Sequence, residues 1–352
     1  MKHYLLKFNF IVTIVIVTSL VIGCTKSDNK DKKIQNNILA LAILASDRYA
    51  DGELKFSASF NDKKLECGDE KYKMPTSNEE VQLRDFRFFV ESVNFVKPDG
   101  SKLPLKMKKV DYWQLVEGET QLALIDFSEG PHGNHVHGKC SGTSDTEDTR
   151  TVIEGSIPQG SFSSVEVKIG VPEKWNHIEA AQQPSTSPLK SGTGLPWNWL
   201  AGYKFIRLEL ESASTTKRLL LHLGSTNCNG DPTIPFGQAG AVTCKNPYKP
   251  TLVLKPQGGF DPFKDTIDIN TDEFFRGNGG VSAIAFSSTT PLSCMPIGSG
   301  GGQNGTPATC GPILKNLGLV PGNQVGFSNS FVTEEGVGTV NLETQQPILR
   351  KK

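Results

Sequence analysis

Apolar and polar positions alternate along much of the chain. Leu54, Phe56, Ala58 and Phe60 fall two apart, and 204–210 (Lys-Phe-Ile-Arg-Leu-Glu-Leu) behaves similarly, as expected for strands with one buried face. Segments rich in β-branched and aromatic residues predict strands over 54–60, 84–96, 113–127, 151–157, 164–169, 204–210, 219–223 and 251–254. Turn chemistry separates them. In Pro98-Asp99-Gly100, proline presets φ and glycine tolerates positive φ. Helical patterning is confined to 272–276 and 312–317. The pattern predicts an all-β protein, an antiparallel β-sandwich with long loops stapled by disulfides.

The N-terminus follows a different pattern. Lys2 and Lys7 precede a predominantly apolar run over 8–22, and Leu20-Val-Ile-Gly23 stands directly before Cys24. The run falls short of the roughly 20 residues a helical span needs. A small residue followed by cysteine is what lipoprotein processing requires. The expected organisation is a signal peptide over 1–23, then lipidated Cys24 with a polar tether to residue 50, and one folded domain over 51–352. Apolar residues over 38–49 read as a brief helix or as more tether. Thr25 rather than an aspartate follows the cysteine, so the expected location is the outer membrane of the cell envelope, facing periplasm or exterior, with the lipid as membrane contact.

Composition narrows the class. With 35 glycines, 21 prolines and only 21% charged residues, the chain is neither a coiled coil nor a disordered polyelectrolyte. Basic and acidic residues both number 37, so no global field draws it to nucleic acid. Of seven cysteines, six remain after Cys24: Cys67, Cys140, Cys228, Cys244, Cys294 and Cys310. An even number in an exported chain argues for disulfides. Cys228/Cys244 and Cys294/Cys310 each bracket a Gly/Pro-rich loop, which makes local pairs the economical choice and leaves Cys67 with Cys140. Loops of this length contribute about 3 kcal/mol each in the chain-entropy model.

Histidines are few enough to weigh singly. His132, His135 and His137 lie in Pro131-His-Gly-Asn-His-Val-His-Gly138, which reads either as a solvated loop or as a metal site. Asn176-His177 follows Gly170-Val-Pro172, and His222 opens His222-Leu-Gly-Ser-Thr-x-Cys228. Between them runs Trp197-x-Trp199-x-x-Gly-Tyr-Lys-Phe205. Asp85 and Arg87, in Arg84-Asp-Phe-Arg-Phe-Phe-Val90, are candidates for a buried ion pair or for orienting a ligand.

Taken in order with Leu124-Ile-Asp-Phe127, Ser187-Pro-Leu189, Cys294-Met295 and the segment from Cys310 to Leu317, these motifs resemble the MbnP-like copper proteins. That family is also called the metallo-mystery-pair four-Cys-motif proteins. The likeness covers nearly the whole chain from Leu54. It implies an exported copper-binding protein encoded beside a MauG-like di-haem peroxidase, which converts a tryptophan to kynurenine. Indole nitrogen donates a hydrogen bond but offers no lone pair. Opening its five-membered ring yields an aromatic amine and a ketone that can ligate. By position, the resemblance makes the copper ligands His177, His222 and the kynurenine formed from Trp197 or Trp199. The His132–His137 loop is not a motif of that family and is a possible secondary metal site. No nucleophile elbow, phosphate loop or HExxH appears, so an enzyme is not expected. The rival expectation is a disulfide-stapled surface lipoprotein with a structural or adhesive role.

Overall fold

The computed structural model describes residues 48–67, 69–75, 77–128, 149–215, 218–235, 237–277, 293–294, 307–319, 345 and 347–352. They form two β-sheets with few helices, the all-β sandwich the alternation predicts. The first sheet runs in the order Leu349–Lys351, Thr266–Asn270, Tyr49–Phe60, Val152–Pro158, Lys106–Met107. The second runs Thr251–Leu254, Ser164–Ile169, Glu80–Val96, Ile206–Ser212, Arg218–Leu223, Ser293–Cys294, with a hairpin of Gln114–Glu117 and Thr120–Asp126 also joining Glu80–Val96. Inward-facing Phe56 and Phe88 meet edge to face between the sheets, 6.2 Å apart. Burying such rings contributes about 1.5–3 kcal/mol each.

Most neighbouring strands are antiparallel. Two pairs depart from that, because Tyr49–Phe60 lies parallel to Thr266–Asn270, and Arg218–Leu223 parallel to Ser293–Cys294. The strand expected over 113–127 is instead a hairpin that turns at Gly118, whose φ is +63°. The first strand begins at Tyr49, two residues before the expected boundary. At 272–276 the chain makes a 3₁₀ turn, Thr271–Phe274, while the C-terminal pattern becomes a helix, Pro307–Asn316. The Pro98-Asp99-Gly100 turn forms as expected, with Gly100 at φ +84° and its N–H donating to the Lys97 carbonyl.

Thr266–Asn270 escaped the reading because its centre is the fully buried Asp268. That carboxylate accepts from Ser57 Oγ, Ser59 Oγ and Lys352 Nζ, partners that only the sheet brings together. Two short ribbons lie outside the sheets. One pairs Pro196–Asn198 with Gly202–Tyr203, and the other pairs Thr226–Gly230 with Val242–Asn246. Among the described residues no helix is long and apolar enough to cross a membrane.

Candidate metal centre

The site begins with a shift of register. Where Ile206–Ser212 pairs with Glu80–Val96, the match slips between Glu209 and Leu210, so Glu209 stands opposite Asp85 and Leu210 opposite Leu83. Such a bulge turns the following side chains to the other face. Phe86 and Phe88 therefore meet in the core as tilted rings, while Asp85 and Arg87 point to the outer face, where Arg87 donates to the Thr193 carbonyl. One register row across four strands then reads Asp126, Arg87, Arg207, His222. The loop 193–204 covers that row.

Both arginines of the row are paired. Arg87 makes a two-pronged contact with Asp85 through Nε, at 2.7 Å, and Nη2. Asp85 also accepts from Ser128 Oγ at 3.0 Å and faces Arg207 Nε at 2.9 Å. Arg207 passes on to Glu209 at 2.8 Å, and Glu209 to His222 Nε2 at 2.8 Å. Arg207 Nη1 and Lys204 Nζ both donate to the Gly194 carbonyl. The expected Asp85–Arg87 pair is thus a buried ion pair, and through Arg207 and Glu209 it connects to His222.

Glu209 decides the His222 tautomer. Burial would raise its carboxyl, but the His222 hydrogen bond and the Arg207 charge bring it down to about 2. An ionised carboxylate only accepts, so His222 Nε2 carries the proton and Nδ1 holds a lone pair. Among the described residues that buried Nδ1 has no hydrogen-bond partner.

His177 is fixed by a similar chain of logic. It ends the short helix Glu173–Asn176. The Tyr203 N–H can only donate and reaches Asn176 Oδ1 at 3.2 Å, which turns the amide nitrogen toward His177 Nε2 at 2.9 Å. Nε2 is therefore the acceptor, and Nδ1 donates to the Trp199 carbonyl at 2.9 Å. Gly202 makes this contact possible: its φ is +74°, and a Cβ there would sit 2.6 Å from Asn176 Oδ1. Burial, offset in part by these hydrogen bonds, pulls both histidines below the usual imidazole range. Each is therefore neutral near pH 7, the form that ligates.

The two tryptophans have different surroundings. Trp197 lies in Pro196–Asn198, and its ring edge occupies space that a Cβ on Gly224, two residues after His222, would enter at 2.5 Å. Lys204 Nζ stands 5.1 Å from the Trp197 ring centre. Burial and the charges of Arg207 and Arg87 push that amine down to about 7. The Trp199 ring instead approaches Gly230, in the ribbon that carries the Cys228–Cys244 disulfide. Ligand atoms of His177, Cys228 and Cys244 lie within 4.8 Å of one another. Because the two sulfurs are joined, they are not thiolate ligands in this form.

Residues 49–296 match the family model described as MbnP. The chain belongs to the MbnP family. His177, Trp197, Trp199 and His222 all fall inside the matched region, whereas Cys310 and the helix Pro307–Asn316 lie beyond it. The solved structure of MbnP from Methylosinus trichosporium is similar at a TM-score of 0.61 and 20% identity, covering 86% of this chain and 98% of that one. At that identity the likeness shows a common MbnP fold. No curated protein sequence matches the chain.

Of the expected disulfides, Cys228–Cys244 is formed and Cys67 is disulfide-bonded. Cys294 follows the parallel pairing beside Leu221, and Cys310 lies in the helix Pro307–Asn316. Cys24, Cys140, His132, His135 and His137 lie outside the described residues. Asn176 and Lys204 stand in sequence motifs with no role assigned to them, and Arg207 and Glu209 were missed as functional candidates. The alternation in 204–210 puts Arg207 and Glu209 on one face, and that was their only available signal.

Proposed function

We propose that this protein is an exported, lipid-anchored copper-binding protein of the cell envelope. His177, His222 and a kynurenine hold the metal, and the role is copper acquisition or homeostasis rather than catalysis. The observation that carries this reading is His222: its Nε2 is tied to Glu209, and its Nδ1 lone pair is buried without a partner among the described residues. A buried acceptor left unpaired costs about 1–3 kcal/mol, and a metal ion would satisfy it. A carboxylate on the far nitrogen is the usual arrangement behind a ligating histidine, and His177 has its counterpart in the Trp199 carbonyl. Two neutral imidazoles and an aromatic amine form a nitrogen-rich set suited to copper.

Trp197 is the tryptophan this reading assigns to modification. Its ring lies beside Gly224 and the Tyr203 carbonyl, next to the strand of His222, while the Tyr203 N–H belongs to the chain of contacts that orients His177. The oxidation falls to a MauG-like di-haem peroxidase partner, and Cys24 supplies the lipid anchor. Mass analysis of the tryptic peptide 191–204, from cells expressing that partner, tests the assignment. One carbon replaced by one oxygen at Trp197, with copper binding lost in His222→Ala, is the expected result. Two unmodified tryptophans together with undiminished copper binding in His222→Ala would overturn it.

A further inference from the structure

The Cys228–Cys244 disulfide stands beside an imidazole already oriented as a ligand. His177 Nε2 is 3.3 Å from Cys244 Sγ, and the Trp199 carbonyl, by accepting the Nδ1 proton, leaves a lone pair on Nε2. Among the described residues, the Asn176 amide is the hydrogen bond that a metal on Nε2 would displace, and Glu173 Oε1 lies 3.6 Å from the same nitrogen. The cysteines face each other across the ribbon Thr226–Gly230/Val242–Asn246, and both are half-buried. Among the described strands this ribbon pairs only with itself. Opening the bond therefore breaks no hydrogen bond of either sheet. The ribbon also keeps its own pairings, including Asn246 Nδ2 to Thr226 Oγ1 at 2.9 Å.

The geometry points to a redox-gated site for a soft metal ion, in which His177, Cys228 and Cys244 bind Cu(I) once their disulfide is reduced. An external dithiol supplies two electrons and two protons, leaving two thiols on the ribbon and a disulfide on the donor. One Cu(I) then binds both sulfurs as the two thiol protons are released to water. Two thiolates and an imidazole select a soft ion, whereas the sulfurs of the closed disulfide are weak acceptors. This site needs neither kynurenine nor His222. It shares His177 with the centre proposed above, so reduction would move that ligand from one donor set to the other.

The test uses the full-length chain, reduced anaerobically with dithiothreitol and desalted, then loaded with Cu(I) and alkylated with iodoacetamide. Peptide mass analysis reads each cysteine separately. Cu(I) is expected to protect Cys228 and Cys244 together in the reduced wild-type chain and in His222→Ala. Protection should vanish in His177→Ala, and the oxidised chain should hold less Cu(I) than the reduced one. Cys228→Ser/Cys244→Ser should lower that gain, with the other cysteines read by their own alkylation. Equal alkylation of Cys228 and Cys244 with and without Cu(I) would overturn the proposal. Loss of protection in His222→Ala would also overturn it, by assigning the copper to the other centre. Far-ultraviolet circular dichroism of the reduced chain serves as the folding control.

Discussion

Replacing Arg87 by methionine tests whether the outer-face charge network holds the site in place. Arg87 is fully buried and makes three hydrogen bonds, two to Asp85 and one to the Thr193 carbonyl. Removing one partner of a buried pair costs about 3–5 kcal/mol, because the other charge stays buried. Asp85 retains Arg207 and Ser128, which places the charge penalty near the lower end. The Thr193 carbonyl then loses its donor and adds about 1 kcal/mol. A total of about 4 kcal/mol is expected, read as a lower urea midpoint at unchanged slope with disulfides intact. Adding Asp85→Asn to Arg87→Met should cost less than the two single changes summed, by roughly 0.5–3 kcal/mol of coupling. A loss under about 1 kcal/mol with additive behaviour would refute the reasoning.

Glu209→Gln removes the charge behind His222, so copper affinity should fall about 10–100-fold in a competitive chelator titration while the chain stays folded; an unchanged affinity would remove His222 from the ligand set. Gly224→Ala drives a methyl group into the Trp197 ring and the Tyr203 carbonyl, with an expected cost of about 1–3 kcal/mol and a change in the near-ultraviolet tryptophan signal. Glu273 is pushed above the usual carboxylate range by burial, against the opposing pull of Arg276. Its ionised form is therefore disfavoured by the fold, a penalty absent below the unfolded pKa and complete above the folded one. Glu273→Gln should accordingly stabilise the protein at neutral pH and change nothing at pH values below the carboxylate range, as thermal melts at the two pH values would show.

The strands that were legible are those whose alternation survives intact. Ser164–Ile169 and Thr251–Leu254 have the expected bounds, since each buries one simple face. Thr266–Asn270 was not legible, because its buried aspartate is tolerable only beside two serines more than 200 residues earlier in the chain. In the candidate site, the histidines, tryptophans and the Asp85/Arg87 pair were visible as residue types. Their orientation was not, because it depends on the bulge opposite Glu209 and on an amide turned by the Tyr203 N–H. Local periodicity carries neither signal, as both arise only when distant strands settle into register.

The first sheet has a consequence for the order of events during folding. Its opening strand is flanked on one side by Val152–Pro158 and on the other by Thr266–Asn270, whose free side is closed by Leu349–Lys351. Asp268 joins the first strand to Lys352, accepting from Ser57 and from Lys352. Contacts of such long sequence separation form slowly, since the loop must close before they contribute. Until Thr266–Asn270 docks, the first strand is paired on one side only, and its other edge stays open across a sequence separation of more than 200 residues. Closure of the first sheet therefore waits on Thr266–Asn270, and removing the strand Leu349–Lys351 should be felt first at Thr266–Asn270, whose free side it covers.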